Sequence, residues 1–361
     1  MGDWWSVTCD DMGVEFGICR AGEVPSMSDL FEQTYRVLGG DSVVAESASK
    51  LGVAAASGEQ QTLQQNRLRF ALLRIGLRQI VEALGEDIPF VILKGEPLSR
   101  RLFDQPEFRS TTDVDLLVLP GDHDEVRRRL LGLGFVARQE GPRKWAYNQE
   151  ALVHPGSSVV MEIHWAIAFP ALPPLPIKDL FERRRSFELA PDLDVPILSD
   201  DWTGIHLALH FHQHIGCAKC LLDMAAFCSR IAPGLDASAF QDRVAELGLS
   251  GVVQWPLHTL ELLTGDPPPL YLADVDPTVR AWAVVSAWAL RGCLSRRFRG
   301  GVQDSLASLN PTTGPSAEVL LRALTMLTVD GTAEKSRAFW RPIFHGPHFL
   351  GRAMHRWGAI R

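Results

Sequence analysis

Between Thr112 and Leu119 acidic and apolar side chains alternate, with Asp113 and Asp115 two positions apart and Val114, Leu116 and Val118 filling the intervening places. Only a β-strand has that period, so the two carboxylates share one face and the three aliphatics share the other. Such a strand needs an apolar core against one side and a polar cleft against the other. Its flanking segments must supply both.

Upstream, residues 88–93 form a short apolar run that stops at Lys94 and Gly95, and Pro97 then suits the first turn of a helix with Leu98 and Leu102 as its apolar stripe. The predicted order is strand, glycine turn, helix. Before it, Leu63, Leu68, Leu72, Ile75, Leu77, Ile80 and Leu84 follow mainly helical spacing, which predicts a helix over 62–84. Downstream, Asp122 and Glu125 have the spacing of a capping box, predicting a helix with Val126, Leu130 and Leu133 inward. Short strands are predicted at 135–137, 144–148, 151–154 and 159–165, the last carrying Glu162 and His164 on one face.

A proline-rich passage from Pro170 to Pro176 breaks this pattern. From Asp201 onward the periodicity is helical, predicting helices near 201–214, 217–231, 237–247, 251–264, 278–298 and 316–328. The expected organisation is an N-terminal segment over 1–58 with no assigned role, holding a short strand near 14–19 and a helix near 27–38. A mixed α+β domain over 59–170, a proline-rich connection over 171–200 and an all-α domain over 201–361 follow it. A chain of 361 residues accommodates two or three such units.

Composition narrows the partners. A net charge of −7 argues against a general polyanion binder, which would carry a basic surface. No apolar run reaches the length of about 18 residues that a membrane span needs, and the start Met1-Gly-Asp-Trp-Trp lacks the charged-then-apolar order of a secretory signal. A cytoplasmic location without membrane contact is the expectation. The 6 cysteines are scattered, which suits reduced thiols better than a disulfide framework.

Two carboxylates abreast on one strand, joined by Glu162 from another, concentrate negative charge that a divalent cation would relieve. Magnesium is the simplest choice, as two ions, with manganese also admissible, because hard cations prefer oxygen ligands and a metal pair can clamp the attacking and leaving oxygens of a phosphoryl transfer. Gly95, lacking a Cβ, would let a phosphate approach the backbone. Lys94 and Arg109 could then hold a triphosphate, Arg109 through a bidentate fork.

The run Leu93-Lys94-Gly95, then Arg109 through Asp113-Val-Asp115 to Val118, then Met161-Glu162-Ile-His164-Trp165, resembles the polymerase-β-type nucleotidyltransferase superfamily. More closely, it resembles an uncharacterised bacterial nucleotidyltransferase family with L-K-G, R-x-x-x-D-x-D-L-L-V and E-x-H-W motifs. The resemblance covers roughly 62–265 and implies a polymerase-β-like domain, a small mixed sheet flanked by helices, followed by helices that select the acceptor. It implies Asp113, Asp115 and Glu162 as metal-binding catalytic acids, Lys94, Gly95 and Arg109 as nucleotide contacts, and a nucleoside triphosphate as donor, ATP first. The acceptor is left open, with a small metabolite or peptide favoured over protein or RNA. One departure stands out: the superfamily's serine after the glycine is Glu96 here.

Other readings compete. Glu96 is the best support for a non-catalytic nucleotide-sensing or partner-binding protein that keeps the fold. His206, His210 and His214 share a helical face near Cys217, Cys220 and Asp223, a pattern compatible with zinc ligation or a metal-dependent hydrolase. The same residues, with His164, also suit acceptor contact, support of the site or plain packing. Lys335, Arg337, Arg341, Arg352 and Arg356 interleave with Phe339, Trp340, Phe344, Phe349 and Trp357, which suits nucleic acid less well than a helix docking its aromatics.

Overall fold

The computed structural model describes residues 4–9, 14–20, 57–109, 111, 113–138, 148–157, 159–168, 174–214 and 218–294. The helices expected near 27–38 and 316–328, nearly all of the strand expected at 144–148, Cys217 and the basic and aromatic C-terminal stretch lie outside the described residues. Near the N-terminus, β1 (Trp4–Cys9) and β2 (Val14–Arg20) pair antiparallel as a sheet of their own.

The main body begins with α1 (Ser57–Leu84), followed by β3 (Phe90–Ile92), α2 (Glu96–Leu102), β4 (Asp113–Val118), α3 (His123–Gly132), β5 (Val136–Ala137), β6 (Gln149–Val153) and β7 (Val160–His164). Then come α4 (Ile177–Glu182), β8 (Arg185–Ala190), β9 (Leu193–Ile197), α5 (Asp200–Gln213), α6 (Ala218–Arg230), α7 (Ala237–Glu246), α8 (Ser250–Thr264) and α9 (Pro277–Leu294). The predicted strands and helices within the described residues recur within a few positions of their expected bounds. Seven strands form one mixed sheet in the order β5-β6-β7-β4-β3-β9-β8. The segment expected as a connection thus contributes a short helix and two strands to that sheet. Weak alternation and Pro196 inside β9 conceal them in the sequence.

The period of two on β4 has the predicted consequence. Val114, Leu116 and Val118 join Phe90, Ile92, Met161 and Ile163 in a core closed by Phe70, Leu73, Leu77, Ile80 and Leu84 of α1 and by Val126 and Leu130 of α3. On the opposite face, Val91, Leu93 and Leu117 join Leu98 and Leu102 of α2 and a large core from α5 to α9, including Trp202, Phe211, Phe227 and Trp255. The sheet is therefore covered on both sides, and the helices after β9 share a core with it. Each fully buried large aliphatic contributes about 1.5–3 kcal/mol.

Two local expectations are corrected. Leu68 and Ile75, two of the residues from which the helical spacing of α1 is read, are 64% and 59% exposed, because Phe70 and Leu73 lie on the buried face with Leu77 and Ile80. Asp122 precedes α3 but makes no side-chain cap, and Glu125 instead accepts from Arg128 and Arg129 at 2.7 and 2.8 Å. Two guanidinium groups one turn ahead outcompete a backbone amide for that carboxylate.

Candidate active site

β4 and β7 run parallel with Asp115 opposite Glu162 and Asp113 opposite Val160. That register sets the carboxylates of 115 and 162 abreast on the face turned toward α5 and α6. His164, one pleat further along β7, lies on the same face. β3 joins β4 antiparallel, and the ladder ends where the Leu93 amide donates to the Asp115 carbonyl at 2.9 Å. Lys94 and Gly95 leave the sheet there. Gly95 has φ 86° and ψ −151°, a region that residues with a Cβ avoid, and this turn aims Lys94 back at the acids.

Asp115 is fully buried, and its Oδ1 accepts from Lys94 Nζ at 3.0 Å and from His164 Nε2 at 3.1 Å. Burial alone would raise its proton affinity, but Lys94 and His164 hold the carboxyl far below the usual range. The acids act back on both partners. Burial would push Lys94 down, yet Asp115, Asp113 and Glu162 raise it, and hydrogen bonds to Asp115 and Glu162 raise His164 against its own burial. Asp113 binds its proton more tightly than an exposed carboxyl, through burial and the charge of Asp115. Glu162 Oε2 accepts from Gln149 Nε2 of β6 at 3.3 Å and lies 3.6 Å from His164 Nε2.

The opposite wall comes from α5 and α6. His206, His210 and His214 stand one turn apart, with ring centroids separated by 6.2 and 4.5 Å. His206 is buried and His214 exposed, so the row climbs from floor to rim. Lys94 Nζ lies 3.3 Å from His210 Nε2, and an ammonium can only donate, so the ring's proton sits on Nδ1, 3.2 Å from Cys220 Sγ. Burial and Lys94 keep His210 neutral, well below its ordinary value. His212 points the other way and meets the Trp255 ring edge-on at 5.6 Å.

Arg109 stacks its fork against Asp223 of α6, with Nε and one terminal nitrogen at 2.8 and 2.9 Å from the two carboxylate oxygens. Both side chains are almost wholly buried. The guanidinium thus ties the segment before β4 to the helical wall while still lining the cavity. Glu96 is not on the cavity: it is buried against Arg100 at 2.8 Å and Arg74 at 3.2 Å. The departure from the resembled pattern is a fastening between α1 and α2, which weakens the sensor reading drawn from it.

Together these walls enclose a cavity of about 400 Å³, into which Lys94, Arg109, Asp113, Asp115, Glu162, His164, His206, His210, His214 and Cys220 all face. Asp223 stands behind Arg109. Gln149 and Lys219 also line the cavity. Their part was not legible from spacing, since Lys219 follows a glycine-interrupted stretch and Gln149 opens a weakly patterned strand. Among the described residues, Asp115, Glu162 and His164 bring one ligand atom each within 4.8 Å of one another. Asp115 Oδ2 is buried with no hydrogen-bond partner. An orphaned carboxylate oxygen beside a second carboxylate and an imidazole fits a divalent cation. The histidines of α5 form no such ligand group among the described residues, and Lys94 stands between them and the acids.

No helix among the described residues is long and apolar enough to cross a membrane. No curated protein matches the sequence. A family model described as "uncharacterised nucleotidyltransferase" matches residues 43–265, a span that takes in the whole mixed sheet and the helices forming the opposite wall. The match covers more than half of the chain, and the protein belongs to that nucleotidyltransferase family.

Proposed function

We propose that this protein transfers a nucleoside monophosphate from a nucleoside triphosphate, ATP first, to a hydroxyl of an acceptor, with release of pyrophosphate. The reading rests on one observation: Asp113, Asp115 and Glu162 share a cavity wall with Lys94 at the glycine turn. Asp113, Asp115 and Glu162 would hold magnesium, or manganese, as one or two ions, with His164 orienting Asp115. When bound, the cation supplies charge neutralisation and polarisation at phosphate oxygens.

The chain's own residues do the rest. Lys94, with its proton held firmly by the acids, is an ammonium at the point where a triphosphate would meet the turn at Gly95. Arg109, fixed by Asp223, presents a second positive charge that loses no side-chain entropy on binding. The acceptor oxygen forms a bond to the α-phosphorus, the bond from that phosphorus to the bridging oxygen breaks, and pyrophosphate departs with the electron pair. The acceptor proton passes to Glu162 and on to solvent. The helices after Pro176 act as the acceptor-selecting wall, enclosing a space that suits a small metabolite or peptide better than a folded RNA.

The test uses ATP labelled at the α-phosphate, magnesium and cell extract. Wild type is expected to label an acceptor, and Asp115→Asn to transfer at least about 100-fold less, several kcal/mol of charge stabilisation being lost. No label transferred by wild type, or undiminished transfer by Asp115→Asn, defeats the reading.

A further inference from the structure

His206 is the residue of this cavity whose chemistry is least accounted for. It lies on α5 one turn below His210, 6% exposed, lining the cavity, with Lys94, Asp115, His164 and Arg109 as its charged neighbours. Each other imidazole of the cavity interior is occupied: His164 by Asp115 and Glu162, His210 by Lys94 and Cys220. Neither Nδ1 nor Nε2 of His206 has a hydrogen-bond partner, and among the described residues no other buried histidine leaves both nitrogens unmatched. Burial and the nearby ammonium of Lys94 hold its pKa down to about 3, so the ring is neutral.

A neutral imidazole presents one N–H and one lone pair at separate corners of the ring. Phosphate and carboxylate oxygens can only accept, so an anion would satisfy the N–H and repel the lone pair. A group that both donates and accepts satisfies the ring. A ring that holds its lone pair so weakly toward protons is also a poor base, which makes it a holder of hydroxyls and not their deprotonating agent.

We propose that His206 is the acceptor-binding residue of this site and that the acceptor is a neutral, hydroxyl-bearing small molecule held between α5 and the acids of β4 and β7. This rests on the nucleotidyltransferase reading and adds the substrate class to it. The attacking hydroxyl reaches the phosphorus from the floor of the cavity, and His206 orients it while Glu162 takes its proton.

The experiment separates cell extract on an anion exchanger and offers each fraction to the full-length protein with α-labelled ATP and magnesium. The flow-through is then passed over a cation exchanger, and labelled product is expected from the fraction that neither resin retains, label confined to the cationic fraction overturning the proposal. With that fraction, His206→Leu should raise the apparent KM for acceptor about 10-fold, the loss of one to two hydrogen bonds. His206→Gln, whose amide both donates and accepts, should recover part of the affinity, and it also serves if the leucine variant folds poorly. Binding of a non-hydrolysable ATP analogue with magnesium should be the same in wild type and both variants. Label appearing only with the retained, anionic fraction overturns the proposal, as does an unchanged KM in both variants. Weaker binding of the ATP analogue in His206→Leu, absent when its 2′,3′-dideoxy form is compared, assigns His206 to the donor's ribose and likewise overturns it. Failure of wild type to transfer label at all, or full transfer by Asp115→Asn, removes the underlying reading instead, so the two failures are distinct.

Discussion

Asp223 shows how much a single side chain decides here. Its carboxylate takes both arms of the Arg109 fork, and neither partner has appreciable exposure. Removing one member of a buried ion pair leaves the other charged and unsolvated, which typically costs about 3–5 kcal/mol. Asp223→Ala should therefore lower the unfolding free energy measured by urea denaturation by an amount of that order, and Asp223→Asn by less, since the amide still offers an oxygen. An Asp223→Ala protein as stable as wild type would show that the pair contributes nothing net. Residues on this scale divide sharply in how far the sequence exposes them. Asp113, Asp115 and Glu162 are legible because strand period alone sets their faces and one parallel register joins them. The Arg109 pairing with Asp223 spans 114 positions and leaves no trace in local spacing, and spacing picks out His206 only as one of a row of three, without the empty ring nitrogens that distinguish it.

The elements differ in the same way. The helices from α5 to α9 are readable from their apolar spacing, whereas β8 and β9 are short, β8 is half exposed and β9 contains Pro196, and only pairing with β3 identifies them as part of the sheet. The crossing of α5 and α6 is set by Gly204. A Cβ there would come within 2.5 Å of Cζ and 2.9 Å of Cε1 of Phe227, a rigid ring already in the core. Alanine is the better helix former by about 1 kcal/mol, yet forcing a methyl group into that contact costs roughly 1–3 kcal/mol, so crowding wins. Gly204→Ala is expected to lower the melting temperature and, under the proposed function, to weaken binding of the ATP analogue, because α5 carries one wall of the cavity. Calorimetric melting together with titration of the ATP analogue checks both. A variant that melts higher than wild type would mean that α5 and α6 cross less tightly than the contact distance implies.

For the molecule as a whole, the buried histidines at the cavity and in α8 contribute to the response to acid. Burial leaves His206 with a pKa of about 3, and it lowers His210 and His258 as well, all from an ordinary value of 6.5. The native state refuses protons that the unfolded chain accepts, so each contributes stability that is present above about 6.5 and drains away as pH falls below it. The slope is about 1.4 kcal/mol per pH unit for each fully neutral ring. His164 has the opposite sign: its raised pKa adds stability at low pH that is lost as pH climbs through the raised value. The urea midpoint should thus fall between pH 6.5 and 5, less steeply in His206→Leu. Equal slopes in the two proteins would contradict a neutral ring at 206.

The acids of the cavity sit on central strands, while the wall they look toward belongs to two later helices. In the proposed function, the reaction and the choice of acceptor therefore draw on largely separate stretches of sequence. Under the proposed function, drift at the positions of α5 and α6 that touch neither Lys94 nor Arg109 would reshape what the cavity admits while leaving the acids opposite in place.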